Sequence, residues 1–398
     1  MMNFDQAKKT IIEAVPLPGT EKVPVRKALG RVLAEDISVP GNFPDVRLSA
    51  IDGYAVKIGA GTEFRMVDVV AAGEQSDSVL EPGQCVAVMT GGIVPDGCDC
   101  MVRVEDCEKD GDIIKVKIDM EPGALINEPG SESAAGAPLL TGGTRISRSV
   151  YPSLFYAGIP EVRVYVRPSV GILVSGDELR EVEDGYEKGL VFNTNRYILE
   201  SFLDALGLNC RHEMRVPDDE AATRRALDEM AGKCTFVVSS GGVSMGRYDY
   251  IKKVFLETDF SLLIQETAIK PGRPLMVAQR KANLFFGMPG YPSAFLTNAL
   301  LYLIPALKKA CGRTDYETRW LKARLATPIR SRKGRLYLNR AVLTLEDGEW
   351  IARDPGSQKT SHFLNFSHVN GLVSLPGDVD SPDAGDYVRA LHFDLELC

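Results

Sequence analysis

The sequence predicts a multidomain α/β protein, in which a three-layer α/β domain is flanked by β-rich domains, including a small β-barrel-like domain at the C-terminal end. Three observations predict it. The chain has 398 residues, more than one hydrophobic core ordinarily serves, which sets a prior of two to four domains. Between residues 169 and 310 short apolar runs alternate with amphipathic segments, the pattern of strands separated by helices. On either side, from Pro40 to Gly143 and again after Gly312, short runs are divided by Gly and Pro, the texture of β-rich modules.

Residues 4–15 read as a short amphipathic helix stopped by Pro16 and Pro18. A second helix is expected over residues 23–35, punctuated by Gly30. Residues 64–70, 85–89, 101–104 and 113–118 read as strands, and 123–143, rich in Gly, Pro, Ser and Ala, as a loop that returns the chain to its first module. The expected division is a discontinuous N-terminal linker domain (1–40 with 144–168), an inserted β-rich domain (41–143), the α/β domain (169–312) and the C-terminal β domain (313–398). Within the α/β domain, 170–174 is a strand, and Asn195 caps a helix with Ile198, Leu199, Phe202, Leu203 and Leu206 on its buried face and Gly207 at its end. Residues 208–216 follow as strand or edge, Asp218 can cap a helix running to Met230, and 275–278 and 284–287 add strands. The later runs 320–326, 335–345, 350–353, 372–375 and 387–393 make the C-terminal β domain.

The α/β domain centres on residues 235–250, where the apolar run Phe236, Val237 and Val238 passes into Gly241 and Gly242 and then into a helix with Ile251, Val254 and Phe255 on one face. Glycines let the backbone turn sharply and let a ligand reach the main chain. Ser239, Ser240 and Ser244 supply hydroxyls, and the helix points its N–H groups at the turn, which suits an anion. The stretch lacks the Lys of a P-loop and the spacing of a dinucleotide fingerprint. It reads either as a phosphate or oxyanion cradle or as a tight connection with Asp249 as a plain N-cap.

An apolar content of 44% and a charged content of 25% are those of a globular chain. A net charge of −8 argues against a general nucleic-acid binder. Eight cysteines show no paired framework, so a reducing cytoplasm is expected; Cys98, Cys100 and Cys107 fit no standard zinc spacing and read as free thiols rather than a metal site. No signal-peptide core is evident at the N-terminus, and the run 299–307, broken by Pro305, is too short to span a membrane. Acidic groups gather at loops and helix starts: Asp52, Asp177, Glu178, Asp218, Asp219 and Asp249. Several carboxylates around an anion cradle suit Mg²⁺ shared with a phosphate, while each by itself also reads as a cap, a turn or a solvated charge. Lys270 and Arg273 sit on a loop stiffened by Pro271 and Pro274, a geometry suited to a small oxyanion. Residues 319–340 carry eight basic and no acidic side chains, either a positive patch or a solvated hairpin face. None of the four histidines pairs with a Cys or Ser in a nucleophilic arrangement, so metal and anion electrostatics are favoured over covalent catalysis.

These residues resemble one family over essentially the whole chain and in order: the molybdopterin molybdenumtransferases of the MoeA type, to which the gephyrin E domain belongs. The matching stretches are ALGRVLAED at 28–36, SAIDGYA at 49–55, MTGG at 89–92 with PDG at 95–97, SGDEL at 175–179, TN at 194–195, SSGGVS at 239–244 with Gly246 and Asp249-Tyr250, KPG at 270–272 and PGYP at 289–292. The resemblance implies a four-part subunit in a homodimer whose α/β domain binds molybdopterin, and insertion of molybdate into the dithiolene of adenylylated molybdopterin with Mg²⁺-assisted release of AMP. It implies that Ser175, Gly176, Asp177, Ser240, Gly241, Gly242 and Ser244, with Pro289 and Pro292, hold the pterin nucleotide. By the same resemblance Asp52, Asp218 and Asp249 place the metal, and Asp52 and Thr90 reach the site from the partner subunit. Catalytic roles are implied for Asp52, Thr90, Glu178, Asp249 and Lys270, and positions near the oxyanion or pyrophosphate for Lys270, Arg273, Arg340 and Ser361.

The chain also departs from that family. Residues 127–132, NEPGSE, carry no Arg and place Glu132 where Asp is usual; Glu266 stands at a basic position, and Tyr291 replaces the usual Asn of Pro-Gly-Asn-Pro. Lost positive charge and an added ring predict a weakened or reshaped anion site. A tungstate-using paralogue and a non-catalytic molybdopterin-binding or scaffold protein are therefore the alternatives to the molybdenum insertase. The preceding adenylyltransferase step needs only the α/β domain, so the β modules and Asp52 argue against it.

Overall fold

The computed structural model describes residues 1–397 except Ala60, Gln75, 244–248, Thr258, 332–333, 379–380 and the side chains of Arg211 and Glu257. Two compact units divide the chain, one of residues 1–34, 143–151 and 161–398, the other of residues 35–142 and 152–160.

The smaller unit holds a six-stranded sheet in the spatial order Cys100–Arg103, Gly53–Val56, Gln84–Val88, Glu63–Val70, Ile113–Val116, Cys107–Asp110. Its strands bury alternate side chains, with Val56, Phe64, Val102 and Ile114 in the core of one face and Ala55, Val70, Val86 and Met101 in that of the other. Gly53 is required here by space, because a Cβ would lie 2.1 Å from the Val102 carbonyl oxygen.

In the larger unit a six-stranded sheet runs Cys210–Val216, Val170–Ser175, Phe236–Ser240, Asn283–Met288, Met276–Arg280, Ser261–Ile264. The first four strands are parallel and the last two antiparallel. Alternation along the parallel strands separates two apolar layers. Ile172, Val174, Phe236, Val238 and Phe286 face Ala7, Ile11, Leu199, Leu203 and the 292–310 helix, while Leu173, Val237 and Phe285 face Leu227, Met230, Ile251 and Val254. The domain is thus three-layered, and the expected helix at the N-terminus, Phe4–Ala14, contributes to the first layer. Residues 208–216 prove to be the edge strand Cys210–Val216.

Three local expectations are corrected. Residues 23–35 form no second helix: Thr20–Pro24 is a strand paired antiparallel with Glu161–Tyr165, followed by a single 3₁₀ turn over Val25–Lys27. Pairing with Glu161–Tyr165, distant in sequence, overrides local propensity there. Asn195 is not a cap, because the helix Thr194–Ala205 starts from Asn193 without a side-chain cap bond. Pro305 does not break the run 299–307: wide turns over Ala299–Leu303 pass into the helix Ile304–Ala310, with Pro305 in its first turn. A π-type turn accommodates a residue that has no N–H to give.

The strands Leu321–Leu325, Leu336–Glu346, Glu349–Arg353, Gly371–Leu375 and Tyr387–His392 close a barrel, since Leu336–Glu346 pairs with both Glu349–Arg353 and Gly371–Leu375. Ala323, Leu343, Val373 and Ala390 fill its core. The short strand Ile269–Lys270 pairs in parallel with Leu336 and Tyr337, so the Lys270 loop is joined to the start of the barrel strand Leu336–Glu346. Among the described residues no helix is long and apolar enough to cross a bilayer.

Candidate functional site

Val170–Ser175 lies between Cys210–Val216 and Phe236–Ser240, so the chain crosses to opposite sides of its first strand and opens a crevice beyond the strand ends. Both Ser175–Glu178 and Ser240–Gly242 fall at that crevice. The turn there needs its glycines: Gly241 has φ 93° and Gly242 φ 76°, and a Cβ on Gly242 would lie 2.8 Å from Ile251 Cγ1. The Gly241 N–H donates to the Met288 carbonyl at 2.9 Å, which ties the turn to the start of the Pro289–Pro292 segment. Asn195 crosses over from the neighbouring helix, its Nδ2 donating to Ser240 Oγ at 2.8 Å and to the Gly290 carbonyl at 2.9 Å. Buried polar atoms concentrate here, and among the described residues Ser239 Oγ and Asn195 Oδ1 find no hydrogen-bond partner. Ser244, expected to join this cradle, lies outside the described residues.

Around the turn stand the carboxylates. The helix Glu220–Ala231 is capped by Asp219, whose Oδ1 accepts from the Ala222 N–H at 2.7 Å, and not by Asp218 as its position suggested. Asp218 is therefore released from that structural duty. Burial pushes its carboxyl up, and the nearby charges of Asp177, Glu178 and Asp249 push it further. Asp249 immediately precedes the helix Tyr250–Glu257, and Asp177 and Glu178 are exposed on the loop after Val170–Ser175. That loop folds tightly, since a Cβ on Gly176 would come 2.8 Å from Glu178 Oε2. Like charges held together in this way fit a divalent cation. Among the described residues no three His, Cys, Asp or Glu side chains form a ready-made metal cage; Mg²⁺ commonly takes one or two carboxylates and completes its shell with water and substrate phosphate, and this donor set fits that kind of binding.

The segment from Pro289 to Ser293 leads from the glycine turn to a second feature, a 120 Å³ cavity lined by Lys270, Ser293, Arg330, Tyr337, Arg340 and Thr360, among others. Pro292 starts the helix Pro292–Asn298, and Tyr291, 60% exposed, precedes it. Ser293 Oγ donates to the Thr360 carbonyl at 2.7 Å, and Ser361, the next residue, is exposed. Lys270 Nζ lies 5.4 Å from the centre of the Tyr337 ring. Arg340 is 4% exposed and commits its guanidinium to the carbonyls of Ser357, Lys359 and His362 and to Asn365 Oδ1, so it shapes the wall of the cavity by fixing the 357–365 loop. Among the described residues that line it, the cations left open to an anion are Lys270 and Arg330. Arg273 pairs with Glu266 at 3.0 Å, so this acid neutralises the neighbouring base.

In the smaller unit the Thr90 N–H and Oγ1 donate to Asp52 Oδ1 at 2.7 and 3.0 Å. These two bonds hold the Asp52 carboxyl below its ordinary range. The acids of the 127–132 loop are partnered within that unit: Glu128 accepts from Arg47 at 3.1 Å and Glu132 from the Tyr156 hydroxyl at 3.0 Å. Burial pushes the thiols of Cys98 up to about 12 and of Cys107 up to about 11, which keeps them protonated near neutral pH.

Sequence reasoning assigned no site role to Asn195, Ser293 or Arg330. Arg330 was one of eight bases in a run, and only the tertiary structure brings it into the lining of one cavity with Lys270. The TN pair at 194–195 was the sole signal for Asn195.

Comparison with known proteins agrees with this geometry. Three family profiles tile the chain: "MoeA N-terminal region (domain I and II)" on residues 2–158, "Probable molybdopterin binding domain" on 171–309 and "MoeA C-terminal region (domain IV)" on 322–393. The chain is 29% identical over 374 residues to the molybdopterin molybdenumtransferase of Staphylococcus aureus (strain MRSA252), covering 92% of this chain and 89% of that relative. Among solved structures, a molybdopterin biosynthesis MoeA protein from Pyrococcus horikoshii superposes with TM-score 0.85 at 26% identity over 99% of both chains. A second, from strain OT3, does so with TM-score 0.81 at 28% identity over 98% of this chain and 100% of that one. The chain belongs to the MoeA family.

Proposed function

We propose that this chain is a molybdopterin molybdenumtransferase, which inserts molybdate into the dithiolene of adenylylated molybdopterin and releases AMP in a Mg²⁺-dependent step of molybdenum cofactor biosynthesis. The observation that carries this reading is the placing of Asp218, freed from capping, among Asp177, Glu178 and Asp249 beside the glycine turn at the strand ends. When bound, Mg²⁺ supplies charge neutralisation for the phosphate anhydride. The chain's own residues do the rest. The Gly241 and Gly242 backbone and Ser240 take the nucleotide's phosphate, Ser175 to Asp177 close the other wall, and the cavity of Lys270 and Arg330, walled by Arg340, takes the oxyanion. Asp52 and Thr90, supplied by the second subunit of a homodimer, complete the catalytic set with Glu178, Asp249 and Lys270. The four-part division of the chain into linker, inserted, α/β and barrel domains belongs to the same reading.

AMP release from adenylylated molybdopterin, with mass spectrometry of the product, tests it. The wild-type protein is expected to release AMP with Mg²⁺ and molybdate and to lose that release on Asp249→Ala; unchanged release by Asp249→Ala would falsify the metal role. A second reading is favoured by the Glu266–Arg273 pair, which removes one cation from the neighbourhood of the anion site: a tungstate-using enzyme, or a protein that holds the pterin nucleotide without inserting metal. Running the assay with molybdate and with tungstate separates these, since a carrier binds the pterin and releases no AMP with either.

A further inference from the structure

Asn195 is buried at 4% exposure, and its amide touches the two segments that form the walls of the nucleotide cradle. A carbonyl oxygen can only accept a hydrogen bond, so the contact with Gly290 O identifies the atom facing it as the amide nitrogen. That nitrogen has two protons. One goes to Gly290 O at 2.9 Å and the other to Ser240 Oγ at 2.8 Å. Ser240 Oγ is thereby made the acceptor in this contact, and its own proton must point elsewhere. Among the described residues no other hydrogen bond to Ser240 Oγ is formed. The hydroxyl stands where the strand Phe236–Ser240 gives way to Gly241 and Gly242, the place of closest backbone approach to a ligand. An oriented O–H at that place suits an anionic oxygen, because a donor already turned toward its acceptor loses little freedom on binding.

The geometry points to Asn195 as a positioning residue: it fixes Ser240 as a hydrogen-bond donor to a phosphate oxygen of the bound nucleotide and at the same time joins the glycine turn to the Gly290 segment. This rests on the functional reading above, in that the ligand is taken to carry phosphate. Asn195 Oδ1, buried and without a hydrogen-bond partner among the described residues, agrees with it, since the amide is oriented by its nitrogen at the expense of its oxygen.

The test is calorimetric titration of the full-length protein, with Mg²⁺ present, using AMP and adenosine as probes. In Asn195→Asp the new carboxylate accepts the Ser240 proton and reverses the bond. It is expected to weaken AMP at least about tenfold, the worth of one hydrogen bond to a charged group, and to leave adenosine unchanged. Ser240→Ala is expected to give the same selective loss. In the Ser240→Ala background, Asn195→Asp is expected to cause no further loss, whereas a direct charge effect or a general loosening of the fold would persist there. Should Asn195→Asp not fold, as judged by thermal denaturation, Asn195→Ser is measured in its place, its side chain being too short to reach both partners. Unchanged AMP affinity in the Asn195 variant, or equal losses for AMP and adenosine, overturns the inference while leaving the functional reading intact. A wild-type protein that does not distinguish AMP from adenosine overturns the phosphate-cradle reading itself, and the inference with it.

Discussion

Asp218 and Asp219 are adjacent in sequence and divided in duty. Asp219 satisfies the helix, and Asp218 is left half-buried among three other carboxylates, a local arrangement that charge repulsion makes unfavourable without a cation. Two predictions belong to this scale. Asp218→Asn is expected to raise the melting temperature of the metal-free protein, because one of the repelling charges is gone, while abolishing Mg²⁺-dependent AMP release; a lower melting temperature would show that the carboxylate is structural. The pH dependence follows from the sign of the shift. Its folded-state pKa is raised, so the native state binds a proton at a pH where the unfolded state does not, and the repulsion is relieved as pH falls through the raised value. The rise in melting temperature produced by Mg²⁺ is therefore expected to shrink on acidification before ordinary carboxylates titrate. A Mg²⁺ shift that is constant down to the ordinary carboxylate range would contradict this. Residue-scale legibility was uneven: the acids were visible as a set, but which of two neighbouring aspartates caps depends on where the helix begins, a boundary that local sequence marks poorly.

At the scale of elements, helix starts do much of the positioning. The Asp219 cap fixes the first turn of Glu220–Ala231, and Asp219→Ala is expected to lose about 1 kcal/mol in urea unfolding, with Asp218→Ala showing no such loss of cap energy. Equal losses in the two variants would mean that the cap is shared. The 292–310 helix shows the other kind of control. Its wide turns over Ala299–Leu303 carry the chain into Pro305 without a break, which keeps Ser293 at one end beside the Lys270 cavity and Lys308 at the other. Reading Pro305 as a breaker missed this, because the cost of proline depends on whether the preceding turn can widen. The residues 23–35 failed as a helix for a comparable reason, their partner strand Glu161–Tyr165 being distant in sequence and so invisible to local pattern.

Within the larger unit, a buried ion pair joins the helix Ile304–Ala310 to the C-terminal helix Phe393–Leu397 that follows the last barrel strand. Lys308 Nζ meets Glu396 Oε1 at 3.1 Å with both side chains fully buried, and Glu396 Oε2 also accepts from the Arg319 N–H at 2.8 Å. Removing one partner leaves an uncompensated buried charge, so Lys308→Met is expected to destabilise the protein by about 3–5 kcal/mol, and the double variant Lys308→Met/Glu396→Leu to recover most of that loss. Denaturant unfolding of the three proteins checks it; a double variant no better than the single would show that the pair's hydrogen bonds, rather than its isolated charge, carry the effect. The pairing of Ile269–Lys270 with the strand Leu336–Glu346 joins the α/β domain to the barrel, and Lys270, Arg330 and Arg340 line one cavity beside it.

The sequence by itself determined the elements and the chemistry in reach: apolar runs of strand length, the two-faced helices, the glycine turn after Val238 and the acids around it are all local patterns, and their physical causes act over a few residues. It also carried the family, because the motifs recur in order along the chain. Tertiary structure alone decided how those groups are used. It closed the barrel by a second pairing of one long strand, spent Arg340 on loop carbonyls, joined Glu266 to Arg273, and sent Asn195 across to Ser240 and Gly290. Each of these contacts joins residues whose proximity is set by sheet order and packing, and hydrogen bonds and ion pairs are made only where the fold brings their partners within about 3 Å.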